Sequence, residues 1–539
     1  MLMKARAART DPAPPATDAP AATFGLRRVA RDVPRAVWTV TALFASLLLA
    51  YAVLLPVYRA PDEPEHVDAV LDLEHGHGWP APGTDLLDPP VVASLRVSGL
   101  SPSANVLDRS PLPYRATAAP RRSSRGSFDV LSQPGGLPQV NQLTQHPPLF
   151  YALEAVALKL TGGTSWAYDK TVLFLRLLSA LMVAPLPLLA HAVARRLRGP
   201  GPVAVAATIL PLAVPQLLHI GASVNNDDLL LVLVGVLTVA LAFVATGDLS
   251  RRTAWWVGVL SALALLTKGF AFILPVWIGL TYTVAWLRYR RRAVLGSGVL
   301  ALAVATVLGG GWWLRNLIEY GALQPGGEEL LPPPRGFVPD LGALAGEFGD
   351  HLAERFWGSF GWFDVALPDL TTALATAVLV LGVLLALAGP RRLAVDRGLV
   401  LLAPLLGLVL LVMLLTYRTY LASGQFRGLQ GRYFLPGVVG ASVLVAVGLS
   451  GALRRFGDWL PLGCGVLAAM MQLVAVHTIL NGFWRPPGGS YGVALRALLA
   501  WSAWPEPVVL AALVGPLVLG LLLTPALLAA RSSTPARAA

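Results

Sequence analysis

The chain has 539 residues, of which 55% are hydrophobic and only 13% are charged. That composition excludes a soluble globular protein of this length, because the polar residues are too few to cover its surface. The net charge of +12 would suggest nucleic-acid binding in a soluble protein, yet here the basic residues lie in short loops between apolar runs. Such placement indicates a topological role in a membrane protein, with the bilayer and not nucleic acid as its partner.

Residues 1–35 are rich in Ala, Pro and Arg and lack hydrophobic periodicity, which predicts a disordered cytoplasmic tail. The first apolar run, Ala36–Tyr58, is longer than a signal-peptide core and is not followed by a small-residue cleavage site. We therefore expect a retained helix that leaves the cytoplasm. A long first external loop, residues 59–170, follows it.

Apolar runs of membrane-spanning length recur along the chain and predict an all-α bundle of about twelve transmembrane helices over residues 36–530. After the first helix, the predicted spans are Thr171–Ala194, Val203–Leu218, Leu229–Val244, Ala254–Leu266, Phe270–Leu287, Val294–Trp313, Thr371–Ala388, Gly398–Thr416, Tyr433–Leu453, Trp459–Ile479 and Val508–Ala530. Every loop that this assignment places in the cytoplasm is basic, provided that the run 254–287 is split at Lys268-Gly269. Residues 314–370 become a second large external loop, and residues 531–539 a short cytoplasmic tail.

The first external loop begins with acidic residues directly against the membrane. Three carboxylates within four residues repel one another unless a cation lies opposite. A solvated acidic loop explains this pattern equally well, but the position at the membrane face favours a functional site. The acidic and histidine residues concerned are Asp62, Glu63, Glu65, His66, Asp68, Asp72, Glu74, His75 and His77.

Two other polar features lie on the predicted external side. His146 opens a short amphipathic stretch that we interpret as an interfacial helix, where a single histidine is more often a packing residue than a ligand. The run Asn225-Asn226-Asp227-Asp228 precedes an apolar span, and such residues commonly cap a helix. Capping accounts for one of them but not for two adjacent acids. Asp227 and Asp228 are therefore a second candidate pole of the site.

Cations also occur at the external ends of several spans, at Lys268, Arg315, Arg418, Arg427 and Arg432. Arginine near Trp and Tyr often serves only as an interfacial anchor. However, the positive-inside tendency argues against so many arginines outside. The planar guanidinium group pairs bidentately with phosphate oxygens, so these residues favour chemistry on a group activated by a lipid phosphate.

The arrangement resembles the GT-C superfamily of membrane glycosyltransferases, in which a long first external loop carries an acidic pair just after the first span. The finer pattern is similar to a bacterial family of polytopic membrane proteins of unknown function. The segments that carry the resemblance are Pro61-Asp62-Glu63-Pro64 with His66, His146-Pro147-Pro148-Leu149-Phe150-Tyr151, Arg176, Asn226-Asp227, Thr267-Lys268, Arg315-Asn316 with Tyr320-Gly321, and Gln430-Gly431-Arg432-Tyr433 with Pro436.

The resemblance implies inverting transfer of a sugar from a polyprenyl-phosphate donor to an acceptor hydroxyl of a glycan, lipid or protein, on the extracytoplasmic face of a bacterial cell membrane. Asp62 would be the general base, because a phosphate leaving group needs little protonation. Glu63 would tune Asp62 or contact the acceptor. The residues expected to bind substrate are His66, His146, Asn226, Asp227, Lys268, Arg315, Arg427, Arg432 and Tyr433.

No cofactor is firmly predicted. The oxygen ligands of Asp62, Glu63 and Asp227 suit Mg, Mn or Ca, which leaves a divalent cation open. Two other functions also remain open. A transporter or flippase of an anionic lipid or polysaccharide precursor would use the same charges as a path, and a non-catalytic scaffold subunit would tolerate their replacement.

Overall fold

The computed structural model describes residues 23–25, 32–99, 119–131, 140–199, 201–326 and 332–532, and nearly all of its regular structure is helical. Within those ranges the strands are β1 (Ser359–Phe360) and β2 (Val365–Ala366), which pair antiparallel. The all-α fold class is therefore confirmed. Most of the two predicted tails, residues 1–35 and 531–539, lies outside the described residues.

Twenty α-helices lie within the described residues. In chain order they are α1 (Arg35–Leu54), α2 (Glu63–His75), α3 (Pro89–Val97), α4 (Leu149–Thr161), α5 (Tyr168–Val183), α6 (Leu186–Arg198), α7 (Pro202–Ile209), α8 (Pro215–Gly221), α9 (Asp227–Ala245), α10 (Arg251–Leu265), α11 (Ile273–Tyr289), α12 (Ala293–Gly309), α13 (Gly311–Tyr320), α14 (Leu341–Trp357), α15 (Asp369–Ala388), α16 (Val395–Ser423), α17 (Val438–Ala452), α18 (Leu460–Ile479), α19 (Tyr491–Trp501) and α20 (Glu506–Ser532).

Nine helical segments of the described chain are long and apolar enough to cross a membrane, and two bent pairs raise that number to as many as 11. The predicted span Val203–Leu218 is one bent pair, broken by 67° before Pro215, whose ring removes a backbone donor. The predicted span Val294–Trp313 is the other, bent by 55° at Gly310.

The remaining difference from the predicted twelve spans lies at Ala254–Leu266. This segment forms α10, whose 15 residues reach only about 22 Å, less than the roughly 30 Å of a hydrocarbon core. The helix packs against α9 and α12. The chain does break after it, at the predicted position, because Lys268 is extended before the short turn Gly269–Phe272.

The loops predicted to be cytoplasmic gather at one end of the bundle. Arg288 forms an ion pair with Asp396 at 2.6 Å, and Arg391 donates to the Ser450 carbonyl at 3.4 Å. Part of the predicted disordered tail is ordered at this end, because the Phe24 amide donates to Asp248 at 2.7 Å. Phe24 thus contacts the loop between α9 and α10.

The helices α2, α4 and α14 belong to the segments predicted to be external, and they pack at the ends of the spans where the candidate residues lie. Nearly all of α17 and most of α9 are buried, whereas α15, α16 and α20 are largely exposed on the outside of the bundle. Candidate residues at the ends of α9 and α17 therefore lie within the protein and not on its outer wall.

Candidate functional site

Asp62 lies between the end of α1 and the first turn of α2. Its backbone is left-handed, with φ of 61°, which Asp tolerates better than most residues. Although Asp62 occupies the position that caps α2, its carboxylate makes no capping hydrogen bond. The carboxylate instead accepts from the guanidinium group of Arg432, and it is 7% exposed. The position of Asp62 is thus determined by a partner from the far part of the chain.

Arg432 lies in the short 3-10 turn Gly431–Gly437 that leads into α17. A side chain on the preceding residue, Gly431, would collide with the backbone of Arg355 and Phe356 at the end of α14. This close approach fixes the start of the turn. The Nη1 atom of Arg432 donates to the Pro61 carbonyl at 3.2 Å, and its Nε atom lies 3.7 Å from Oδ2 of Asp227. Arg432 therefore joins the two predicted acidic poles.

Asp227 begins α9, and its other carboxylate oxygen lies 2.8 Å from Nζ of Lys268. Both side chains are buried. The rings of Phe270 and Tyr433 lie 5.7 Å and 5.5 Å from that ammonium group. Acidic and basic side chains thus alternate along a series of four residues, which we call the charge cluster: Asp62, Arg432, Asp227 and Lys268.

Two buried histidines lie close to the charge cluster. His66 is one turn into α2, and its Nδ1 atom lies 3.1 Å from the Tyr151 hydroxyl of α4. Burial lowers the pKa of both His66 and His146 well below the usual value, and the positive charges of Lys268 and Arg432 lower it further. Both imidazoles are therefore neutral at physiological pH and available as hydrogen-bond partners.

Several polar atoms beside the charge cluster have no hydrogen-bond partner within the described chain. These are both polar side-chain atoms of Asn226 and Nδ1 of His146, all of them buried. Asn226 occupies the capping position of α9 but does not cap it, whereas Asn225 accepts from the Asp227 amide at 2.9 Å. Buried polar groups are nearly always satisfied, so these atoms point to a place where a polar ligand binds.

Glu63 does not share this environment, although it is the immediate neighbour of Asp62. Its two oxygens accept from Nε and Nη2 of Arg176 at 2.7 and 2.6 Å. They also accept from the backbone amides of Tyr58 and Val224. Because the side chain is fully buried and saturated, the predicted catalytic role of Glu63 does not fit, and we assign it to holding α1, α5 and the start of α9 together.

Arg315 and Arg427 lie outside the charge cluster, contrary to prediction. Arg315 is exposed on α13, pairs with Glu319 at 2.8 Å and lies over the ring of Trp312. Arg427 is exposed and donates to Gln425 at 2.7 Å. These contacts fit the alternative considered for such residues, interfacial anchoring. The bend before α13 explains why Arg315 lies outside the charge cluster.

The three carboxylates proposed for a divalent cation do not converge. Asp62 and Asp227 lie on either side of Arg432, and Glu63 is bonded to Arg176. Each carboxylate already has a cationic side chain as its partner. The structure therefore gives no support for Mg, Mn or Ca at this position.

The sequence alone did not reveal every contact around the charge cluster. The Gln142 amide donates to Asp62 at 3.4 Å, and the Tyr151 ring stacks on His66 at 5.7 Å. Neither residue carries a chemical signal on its own. Arg176 does carry a chemical signal. A guanidinium group inside an apolar span needs a buried carboxylate as its partner, so Arg176 indicates a structural role for an acid such as Glu63.

The sequence model of the family described as "Predicted membrane protein (DUF2142)" matches residues 44–441. No curated protein sequence matches the chain. Among solved structures, the chain is similar to ArnT from Cupriavidus metallidurans bound to undecaprenyl phosphate, with 15% identity, a TM-score of 0.44, and coverage of 91% of this chain and 76% of that chain.

The chain is also similar to the Archaeoglobus fulgidus oligosaccharyltransferase in complex with Zn and sulfate. The identity is 14%, the TM-score is 0.34, and the match covers 85% of this chain and 53% of that chain. Both likenesses are remote, and the glycosyltransferase assignment stays a proposal. The family match, by contrast, confirms the predicted resemblance to polytopic membrane proteins of unknown function. The chain belongs to the DUF2142 family of membrane proteins, and the matched segment contains all four residues of the charge cluster.

Proposed function

We propose that this protein is a membrane glycosyltransferase that moves a sugar from a polyprenyl-phosphate donor to an acceptor hydroxyl, with inversion at the anomeric carbon. The observation that carries the proposal is the contact of Asp62 with Arg432 inside the charge cluster. A carboxylate able to accept a proton and a guanidinium able to hold a phosphate are direct neighbours there. Sugar transfer from a lipid phosphate requires those two groups on the same substrate.

The donor phosphate binds through Arg432 and Lys268. In the free protein these cations are bonded to Asp62 and Asp227. The donor is a phosphodiester with a single negative charge, and its two non-bridging oxygens match the guanidinium fork. Donor binding therefore replaces Asp62 as the partner of Arg432 and leaves the carboxylate free to act as a base.

The chemical step then follows. The freed Asp62 carboxylate takes the proton of the acceptor hydroxyl while the acceptor oxygen forms a bond to the anomeric carbon. The bond from that carbon to the phosphate oxygen breaks on the opposite side, and its electron pair leaves with the polyprenyl phosphate. Arg432 and Lys268 stabilise the departing anion. Neutral His66 and His146, together with Asn226, hydrogen-bond to sugar and acceptor hydroxyls.

The proposal places the reaction on the extracytoplasmic face of a bacterial cell membrane, with both termini in the cytoplasm. The basic loops gather at the opposite end of the bundle from the charge cluster, and basic loops tend to stay in the cytoplasm. The acceptor is a cell-envelope glycan, a glycolipid or a glycoprotein. Any of these supplies the hydroxyl that the mechanism needs.

A transfer assay with Asp62→Asn tests the proposal. Membranes that contain the full-length protein are incubated with a radiolabelled polyprenyl-phosphate sugar, and label in the acceptor fraction is measured. We expect a loss of about 10²- to 10⁴-fold, the contribution of a general base. Asp129→Asn is the matched control, because Asp129 is exposed in the same loop, and it should transfer normally.

An assay of the wild-type protein in liposomes separates sugar transfer from lipid translocation. If wild-type protein in liposomes moves a labelled polyprenyl-phosphate lipid between leaflets but transfers no sugar to any acceptor fraction, the transferase proposal is wrong. Normal sugar transfer by Asp62→Asn would likewise show that Asp62 is not the general base. Sugar transfer by the wild type and its loss in the variant would support the proposal.

A further inference from the structure

A second cluster of polar side chains lies at the far end of α2, about 20 Å along the helix from Asp62. The helix ends at His75, and both Gly76 and Gly78 adopt left-handed backbone conformations, with φ of 83° and 87°. Glycine adopts this conformation without strain. The chain therefore reverses sharply, and the rings of His75 and His77 lie 5.7 Å apart.

Asp88, just before α3, completes a group of three with these histidines. The ligand atoms of His75, His77 and Asp88 all lie within 4.8 Å of one another. Both imidazoles are exposed, so an ion can enter from solvent. Two imidazoles and a carboxylate form a ligand set for zinc and related transition metals, which bind nitrogen and oxygen at about 2.0–2.2 Å.

Three more carboxylates stand directly behind this group. Oxygen atoms of Asp68, Asp72 and Asp85 lie within 4.8 Å of one another, and the first two residues are buried. Asp72 Oδ1 lies 3.2 Å from Nδ1 of His77, and Asp68 accepts from the Asp88 amide at 2.8 Å. A carboxylate behind a ligating imidazole is the usual arrangement that orients such a ligand.

Within the described ranges these carboxylates have no Lys or Arg as an ion-pair partner. They belong to Asp68, Asp72, Asp85 and Asp88, and the partner of Asp72 is the imidazole of His77. In addition, Oδ2 of Asp85 is buried and has no hydrogen-bond partner in the described chain. A buried carboxylate oxygen is costly without a donor or a cation, so the group is short of positive charge.

We propose that His75, His77 and Asp88 bind a divalent transition-metal ion of the zinc type, with Asp72 orienting His77. The ion joins the end of α2 to the segment that leads into α3. Its distance from the charge cluster makes it a structural ion that holds α2 in place, not a participant in sugar transfer. The site is independent of the proposed transferase function, and either proposal can fail without the other.

Zinc titration of the purified full-length protein tests the site. The protein carries no polyhistidine tag, is held in nanodiscs and is stripped with a chelator before Zn²⁺ is added in a calorimeter. We expect one Zn²⁺ per chain. Removing a ligand in His77→Ala or Asp88→Asn should weaken binding by at least about 10- to 100-fold. His77→Ala should fold normally, because His77 is exposed.

His351→Ala is the matched control, since His351 is a partly exposed histidine on α14 that pairs with Glu347 at 3.0 Å and lies outside the cluster. It should bind Zn²⁺ as the wild type does. A second readout is thermal unfolding, in which Zn²⁺ should raise the Tm of the wild type and the control but not of His77→Ala. Wild-type protein that binds no Zn²⁺, or His77→Ala that binds it unchanged, would overturn the proposal.

Discussion

Arg432 and Asp62 form a buried ion pair although 370 residues separate them in the chain. Asp62 follows the first span and Arg432 precedes α17, so the pair closes the helical bundle at one end. Arg432 also reaches Asp227, which in turn holds Lys268. One guanidinium group thus connects three distant segments, and its replacement should affect ligand binding more than the loss of any exposed arginine.

The two arginines of the segment 427–432 should differ sharply in phosphate binding. Arg432→Gln should weaken binding of polyprenyl phosphate by about 10- to 100-fold, because hydrogen bonds to charged groups contribute about 1.5–3 kcal/mol. Arg427→Gln should leave the affinity unchanged, since Arg427 is exposed. Scintillation proximity binding to purified protein measures both. Equal losses in the two variants would place the phosphate elsewhere.

Glu63 and Arg176 should prove structural. Glu63→Gln leaves the buried guanidinium group without its carboxylate and should destabilise the protein by about 3–5 kcal/mol. The measurement is thermal unfolding in detergent, followed by tryptophan fluorescence. The double variant Glu63→Gln, Arg176→Met removes both charges and should recover part of that loss.

The alternative for Glu63 is a direct part in the chemistry. In that case Glu63→Gln would unfold at the wild-type temperature and yet fail to transfer sugar. Such a result would contradict the assignment of Glu63 to the scaffold. Arg176→Met alone would then also be stable, contrary to our expectation.

The contribution of His66 and His146 to the stability of the protein should fall in mild acid. Burial lowers the pKa of both in the folded protein, so below the ordinary value of about 6.5 the unfolded chain binds protons that the folded chain does not. The stabilising contribution is therefore present above about pH 6.5 and is lost as the pH falls. The slope approaches about 1.4 kcal/mol per pH unit for each histidine.

Thermal unfolding between about pH 7.5 and 5.5 checks this dependence. His146→Gln should lose less Tm than the wild type as the pH falls, since one buried imidazole with a lowered pKa is gone. His351→Gln is the matched control, because His351 is a partly exposed histidine outside the charge cluster. An identical slope in wild type and His146→Gln would mean that His146 is protonated in the folded protein.

Sequence patterns predicted that Asp62, Asp227, Lys268 and Arg432 lie on one side of the membrane, because each residue stands at the end of an apolar run. Because successive spans cross the membrane in opposite directions, such ends can be assigned to one side of the membrane without any knowledge of how the helices pack. The break after α10 is an example, since charge parity alone required it at Lys268. The same logic could not distinguish Arg432 from Arg315 or Arg427. The sequence predicts all three at external ends of spans, and only helix bending and packing decide which of them is buried.

The role of Glu63 was hidden for a related reason. Asp62 and Glu63 are neighbours with similar chemistry, but the left-handed backbone at Asp62 directs the two carboxylates to different partners. A dihedral angle of this kind cannot be read from residue types. The bent pairs at Pro215 and Gly310 are similar, because a Pro or Gly in an apolar run indicates where a helix can break but not by how much.

Titration of purified Asp62→Asn with polyprenyl phosphate tests whether Asp62 competes with the phosphate for Arg432. We expect the variant to bind polyprenyl phosphate several-fold more tightly than the wild type, while its sugar transfer falls by about 10²- to 10⁴-fold. Weaker binding by Asp62→Asn would contradict the account, since Arg432 would then not be shared between the carboxylate and the phosphate.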